Sequence, residues 1–501
     1  MLLDLILNIF SFFPHTEDVL MPLLLIIPIM STFIVFLIPS FYSYTLKNIV
    51  LKSTCVLFLT SLFVLLFFNK KLGMFQMKTS IKWIDFFNIN FNFGIDGISI
   101  FFIILTTLLM LLCVLVNWES PFIKINLICL LILEFLLISV FSILDLLLFY
   151  ILFESVLIPM FLIIGIWGSR QRKIRASYFL FIYTALGSVI MLISILYIYA
   201  QVGTTNYEVL LTIKFSILEQ YILWITFFLS FATKIPMVPT HLWLPEAHVE
   251  APTSGSVILA GILLKLGSYG FIRFSLPLFP EASFYFSPII YTFACIGIVF
   301  ASFTAIRQTD FKRIIAYTSI AHMNLVVLGI FSFNTVGLTG SVLQSLSHGF
   351  VASALFLLIG VVYDRHGSRM VKYYGGLVHV MPLYSTIFLF FTMANIGLPG
   401  TGSFIGEFLI LVGSFKFNTT ITVLGSTGMV LGGCYSLWLF NRIIYGNLKT
   451  QYIHSFLDLT KKDVIIFLPL IFGTLILGIF PNVFLRVIEM SILKLVESIY
   501  F

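Results

Sequence analysis

The chain has 501 residues, 60% of them hydrophobic and only 10% charged, with a mean hydropathy of +1.10. A soluble domain carries roughly a quarter charged residues, so a soluble enzyme is excluded and the chain reads as a polytopic membrane protein. Its formal net charge of +7 sits in the connections between apolar runs, which points to membrane topology rather than to nucleic acid.

A helix rises ~1.5 Å per residue and a bilayer core is ~30 Å thick, so about 20 mainly apolar residues make one crossing. The sequence therefore predicts an all-α fold of about fourteen transmembrane helices, near 20–39, 49–68, 96–117, 124–143, 145–168, 176–200, 221–242, 254–276, 286–306, 314–331, 338–363, 382–413, 420–441 and 463–486. The apolar stretch at 1–13 is too short to count and carries Asp4. No basic region precedes it, so no cleavable signal is expected and the first helices direct insertion. Cys55, Cys113, Cys129, Cys295 and Cys434 lie in apolar runs without CxxC or Cys/His metal spacing, and read as packing residues.

With fourteen spans, the odd-numbered connections share a face. They hold Arg170, Arg172, Lys173 and Arg175, then Arg307, Lys312 and Arg313, then Arg365, Arg369 and Lys372, then Arg442, Lys449, Lys461 and Lys462. The positive-inside rule makes that the inner face and puts both termini on the opposite one. The connection 69–95, with Lys70, Lys71, Lys78 and Lys82, reads as a long outer loop. Two spans carry breakers: Pro236 and Pro239 in span 7, and Gly397, Pro399, Gly400 and Gly402 in span 12. Both should lose backbone hydrogen bonds near mid-membrane. Interruptions at matching places point to inverted repeats, here five-helix units at spans 4–8 and 9–13. The chain then divides into 1–123 (helices 1–3), 124–276 (first repeat), 277–445 (second repeat) and 446–501 (a loop and helix 14).

Glu154, Lys234, Lys265, His322, His348 and Glu407 are ionisable side chains in the middle of apolar spans. Such groups are costly in hydrocarbon and persist where they line a polar interior path or pair with one another. Glu154 in span 5 and Lys234 in span 7 form a carboxylate–amine pair able to exchange protons; the plainer reading is a structural ion pair. Lys265, flanked by Gly261, Gly267 and Gly270, reads as an interior relay, with snorkelling as the alternative. His322 and His348 each donate and accept as neutral imidazoles, although either alone also fits a satisfied core histidine. Thr318, Asn324, Ser345 and Ser347 suggest a hydrated path beside them, and Glu407 lies beyond the span-12 break. Glu134 in span 4 is a weaker member of the same set. Asp145, near a span end, is expected to face water, and Arg273 to meet headgroups. His241, Glu246, His248 and Glu250 in HLWLPEAHVE resemble a metal cluster by composition, but their spacing favours an ordered polar loop.

GIDGIS (94–99), FESVLIPMFLIIGIWGSRQRKIRA (153–176), KIPMVPTHLWLPEAHVEAPTSGSVILAGILLKLGSYGF (234–271), IIAYTSIAHMN (314–324), SLSHGF (345–350) and LPGTGSFIGEF (398–408) strongly resemble the subunit 4 family of mitochondrial NADH:ubiquinone oxidoreductase, respiratory complex I. These are antiporter-like membrane subunits with fourteen helices, two inverted five-helix repeats and broken helices 7 and 12. The resemblance implies that Glu154 and Lys234 form the pair of the first half-channel and that Lys265 connects the halves. His322 and His348 then continue the axis to Glu407, a position usually occupied by Lys in sibling subunits. It also implies proton translocation across the mitochondrial inner membrane, with both termini on the intermembrane-space side. NADH, FMN, Fe–S clusters and ubiquinone are expected on other subunits, and none of them on this chain. The implied partners are other membrane-arm subunits, sibling antiporter-like subunits among them, and lipids, with no nucleic acid. The alternatives are a free-standing monovalent cation/proton antiporter of the same superfamily and a non-conducting scaffold.

Overall fold

The computed structural model describes residues 16–84, 87–452 and 457–500; the apolar stretch at 1–13 lies outside them. In chain order the helices are α1 (Thr16–Leu37), α2 (Ser43–Phe67), α3 (Ser99–Val116), α4 (Ile123–Ser142), α5 (Leu146–Trp167), α6 (Lys173–Val202), α7 (Ile217–Lys234), α8 (Trp243–Glu250) and α9 (Thr253–Leu278). They continue as α10 (Pro280–Arg307), α11 (Phe311–Ile330), α12 (Thr335–His366), α13 (Pro382–Ile396), α14 (Gly402–Phe417), α15 (Thr419–Ile444), α16 (Lys461–Ile479) and α17 (Pro481–Tyr500).

Among the described residues, twelve helices are long and apolar enough to cross a membrane. The expected spans absent from that set are 7 and 12, because the chain breaks each into two shorter helices, α7 with α8 and α13 with α14. The outer surface is apolar, with Leu186 and Ile193 each 65% exposed, while Glu134 and Lys265 are fully buried. That distribution inverts a soluble protein's and suits a lipid environment.

Helix ends follow local chemistry. Asp145 caps α5 by accepting from the Leu147 and Leu148 amides, and Ser216 with Glu219 makes a capping box on α7. Helices α6 and α12 end at Gly203 and Gly367, both left-handed.

Three sequence expectations need correction here. The connection 69–95 is not a plain loop: Gln76–Ile84 (β1) and Ile89–Ile95 (β2) pair antiparallel, as their β-branched and aromatic residues favour. Asp145 does not face water; it is buried, and Thr205 Oγ1 donates to its carboxylate at 2.6 Å. Span 14 stops at Ile479, and Pro481 starts α17. That last helix buries Val487, Ile488, Ser491, Ile492 and Leu495 and packs against α12 and the end of α9. Cys113, Cys129 and Cys295 are buried as expected of packing residues, whereas Cys434 is exposed.

Helix α9 is buried throughout its apolar window. It is not a regular α-helix: Leu259–Leu263 and Phe271–Ser275 are π turns, the kind of irregularity common at functional sites. Its glycines set the packing. A Cβ at Gly267 would lie 2.9 Å from the Phe231 carbonyl oxygen of α7, and one at Gly261 would lie 2.7 Å from Ser353 Oγ of α12. The small residues thus let α7 and α12 approach α9 closely.

Candidate functional site

At the span-7 break, Lys234 is the last residue of α7 and Ile235 its cap. The prolines that follow cannot donate, so the carbonyls at the end of α7 need other partners. They find them locally. The Met237 amide donates to Ala232 O at 3.0 Å, Thr240 Oγ1 donates to Ala232 O at 3.1 Å, and Trp243 Nε1 donates to Thr233 O at 2.8 Å. This knot fixes the end of α7 and holds the Lys234 side chain in the interior, where it is 3% exposed.

Lys234 Nζ lies 3.9 Å from Glu154 Oε1, donates to the Phe153 carbonyl at 3.3 Å, and stands 4.2 Å from the centroid of the Phe153 ring. Glu154 sits where α5 loosens. The Val156 and Met160 amides reach their carbonyl partners at only 3.3 and 3.5 Å, next to Pro159. The carboxylate is 19% exposed on its side chain, so one partner of the pair is more open than the other. At 3.9 Å the contact is an ion pair without a tight hydrogen bond, an arrangement that can be made and broken.

The second group runs from α9 through α12 and α11 to α14, with an open step between its two histidines. Lys265 follows the first π turn of α9, and its ammonium donates to the Ala260 carbonyl within that turn at 2.5 Å. The same Nζ lies 2.8 Å from His348 Nδ1 on α12. The His348 ring centroid is 5.9 Å from that of His322 on α11, and His322 Nδ1 lies 3.1 Å from Glu407 Oε1 on α14. Gln344, one turn before His348, donates from Nε2 to the same oxygen at 3.0 Å. Glu407 is placed by the span-12 break: Gly397 and Gly400 take φ of +85° and +96°, conformations that favour glycine, and they turn the chain into α14. A cavity of about 20 Å³ lined by His322, Asn395, Glu407 and Tyr435 adjoins the carboxylate, room for about one water molecule.

The expected residues therefore fall into two sets. Lys265, His348, His322 and Glu407 form one buried series, and Glu154 with Lys234 forms a separate pair across the face of α9 that carries Gly267. Glu134 joins neither set: it is fully buried in α4 and neither carboxylate oxygen has a partner among the described residues. Thr318, Asn324 and Ser345 donate to carbonyls of their own helices, and Ser347 Oγ has no partner among the described residues.

HLWLPEAHVE is not a polar surface loop. A 3₁₀ turn, Thr240–Leu242, leads into α8, and His241, His248 and Glu250 are buried because this short helix is wedged among α6, α11 and the start of α9. The His248 ring stacks on Phe356 at 4.5 Å, and Glu246 pairs with Arg313 at 2.7 Å. Arg273 does not reach headgroups. Its guanidinium bonds to the Asp96 carboxylate at 2.6 Å and lies over the rings of Phe75 and Tyr269, at 4.8 and 5.3 Å. Cation–π contact and a buried counter-charge hold it inside.

Lys312 was missed as a site residue, since a basic residue at a span end reads as a topology signal. The fold buries it. Its ammonium donates to the Ala251 carbonyl at 2.7 Å and to Ser256 Oγ at 3.3 Å. It also borders a cavity of about 690 Å³ together with Glu119, Asp364 and Asp463. No local sequence pattern marks this, because the residues come from five separate segments.

Residues 144–432 match the family described as NADH:quinone oxidoreductase/Mrp antiporter, TM. NADH-ubiquinone oxidoreductase chain 4 of Chondrus crispus is 56% identical over 474 residues, covering 94% of this chain and 96% of that one. The protein of the same name from Arabidopsis thaliana is 55% identical over 476 residues, covering 95% and 96%. Among solved structures, a chain of respiratory complex I from Thermus thermophilus with bound NADH superposes with a TM-score of 0.87 at 27% identity, over 96% of this chain and 99% of that one. A chain of the Mrp complex from Dietzia sp. superposes with a TM-score of 0.84 over 97% and 100% at 17% identity, a likeness of fold.

Proposed function

Because the chain belongs to the NADH-ubiquinone oxidoreductase chain 4 family, it is a membrane-arm subunit of respiratory complex I, and we propose that it carries protons across the inner mitochondrial membrane while NADH is oxidised and ubiquinone reduced elsewhere in that complex. The observation that carries the proposal is the buried series Lys265, His348, His322 and Glu407, whose successive separations are 2.8, 5.9 (ring centroid to ring centroid) and 3.1 Å. An ammonium, two imidazoles and a carboxylate in sequence each hold or release a proton at a defined atom: Nζ, the ring nitrogens and Oε1. His322 Nε2 and His348 Nε2 have no hydrogen-bond partner among the described residues, so a water or a ring rotation completes the step between the two rings.

In this reading the two sets work as charge switches. When Glu154 and Lys234 separate, the local field at Lys265 changes, and the change passes through His348 and His322 to Glu407. The cavity beside Lys312 supplies a hydrated approach from the side of the basic connections, which we assign to the matrix face. The fourteen-helix count, the repeats at spans 4–8 and 9–13 and the domain limits belong to the same reading. They are supported by each broken helix packing on the span before it, α7 on α6 and α14 on α12. NADH, FMN, the Fe–S clusters and ubiquinone are assigned to neighbouring subunits.

The test is Glu407→Gln in the assembled complex. Glutamine keeps the volume and an acceptor oxygen for Gln344 but removes the charge, so quinone-linked NADH oxidation and proton pumping fall together. NADH oxidation by an artificial electron acceptor is unchanged. A normal proton-to-electron ratio at a normal rate removes Glu407 from the pathway.

A further inference from the structure

Beside the broken helix, and apart from both proton-handling sets, lies a cleft of about 240 Å³ bordered by Arg172, Arg175, Phe179 and Tyr183 of the α5–α6 connection and α6, Glu246 of α8, and Arg313 of α11. Three guanidiniums face one carboxylate, so the cleft carries a formal charge of +2 once Glu246 has neutralised Arg313 across 2.7 Å. Arg172 and Arg175 have no carboxylate partner among the described residues; Arg175 lies over the Phe179 ring at 5.1 Å. Arg172 is also the N-cap of the 30-residue helix α6, which has no side-chain cap. The first turn therefore presents amide donors and the positive end of the helix dipole on the same side as the arginines.

We propose that this cleft binds the phosphate of an anionic phospholipid. Two features select a lipid over a free anion. The aromatic wall of Phe179 and Tyr183 continues directly into the outer face of α6, where Tyr178, Ile182 and Leu186 are 52%, 47% and 65% exposed, so an acyl chain has an apolar track leading away from the charged end. The cleft is also placed where a headgroup lies, at the membrane-end turn of α6 and not in its middle. A basic pocket between helix ends is the physical form such sites take. The volume is far above the room one water needs and admits a phosphodiester with part of its glycerol. The cleft is independent of the proton-pathway reading: it stands or falls on lipid binding alone.

The experiment compares intact complex purified with the wild-type chain, with R172Q/R175Q and with the charge-keeping R172K/R175K. Each is stripped of loosely held lipid and titrated with phosphatidylglycerol in phosphatidylcholine nanodiscs, with retained phospholipid counted by native mass spectrometry. Wild-type and R172K/R175K complexes should hold one more anionic phospholipid than R172Q/R175Q. The midpoint for that molecule should move by roughly thirty-fold, from about a factor of five per basic residue. If R172Q/R175Q does not assemble, R175Q alone should shift the midpoint about fivefold. Equal lipid counts in all variants overturn the proposal. So does occupancy satisfied by inorganic phosphate in nanodiscs of phosphatidylcholine alone, which identifies a free-anion site. Loss of a polypeptide from the variant complex at an unchanged lipid count also overturns it, and assigns the cleft to a protein partner.

Discussion

Replacing Glu154 by alanine tests whether the first pair is a gate. With Nζ and Oε1 3.9 Å apart, an effective dielectric of ~20 gives an attraction of about 4 kcal/mol between the charged forms. What remains for the Lys234 ammonium is the Phe153 carbonyl at 3.3 Å and the Phe153 ring face at 4.2 Å. A desolvated cation–π contact stabilises by about 2 kcal/mol, so the lost partner outweighs it. The lysine then ceases to switch between paired and unpaired states, and proton transfer should collapse. Lys234→Ala should act as strongly by stranding the carboxylate, and exchanging the two residues should not restore the rate, because the field along the axis is reversed. The assay is protons moved per NADH oxidised by assembled complex, with assembly yield measured alongside. A purely structural ion pair predicts the opposite division: poor assembly, and normal pumping by whatever assembles. Near-normal pumping by assembled Glu154→Ala complex would therefore refute the gate.

Asp96→Asn leaves the Arg273 guanidinium buried without its counter-charge, and breaking one side of a buried ion pair costs about 3–5 kcal/mol. The expected result is a lower thermal midpoint of this subunit within the complex and reduced yield, with pumping per surviving complex unchanged; unaltered stability would show that the rings of Phe75 and Tyr269 suffice. The orientation is tested in mitochondria whose outer membrane has been opened. An epitope at either terminus should be cut by added protease and one near Arg172 protected, and the reverse pattern would reject the helix count or the assignment of the basic face.

The linear sequence by itself determined the medium, the crossings and the breaks, because each depends on a local property. Twenty apolar residues in a row need no partner to declare a membrane helix, and Pro236, Pro239 and Pro399 remove backbone donors wherever they fall. The interior placement of Glu154, Lys234, Lys265, His322, His348 and Glu407 was legible for the same reason, since a charge inside an apolar run is conspicuous without knowledge of its neighbours. Pairing was not legible. Whether Arg273 snorkels to a headgroup or turns inward depends on Asp96, which lies 177 positions earlier in the chain (273 − 96). Lys312 became interior only because Ala251 and Ser256 offered it oxygen atoms at 2.7 and 3.3 Å. HLWLPEAHVE read as an ordered polar loop because of its proline and its lack of i,i+4 histidines, yet α8 packs against α6 and α11 and buries His248, while His241 is buried against Phe300. Burial and partner choice are set by which helices pack together, and that is decided by small-residue contacts such as those at Gly261 and Gly267. Such contacts join distant segments, so they exist only in the folded chain.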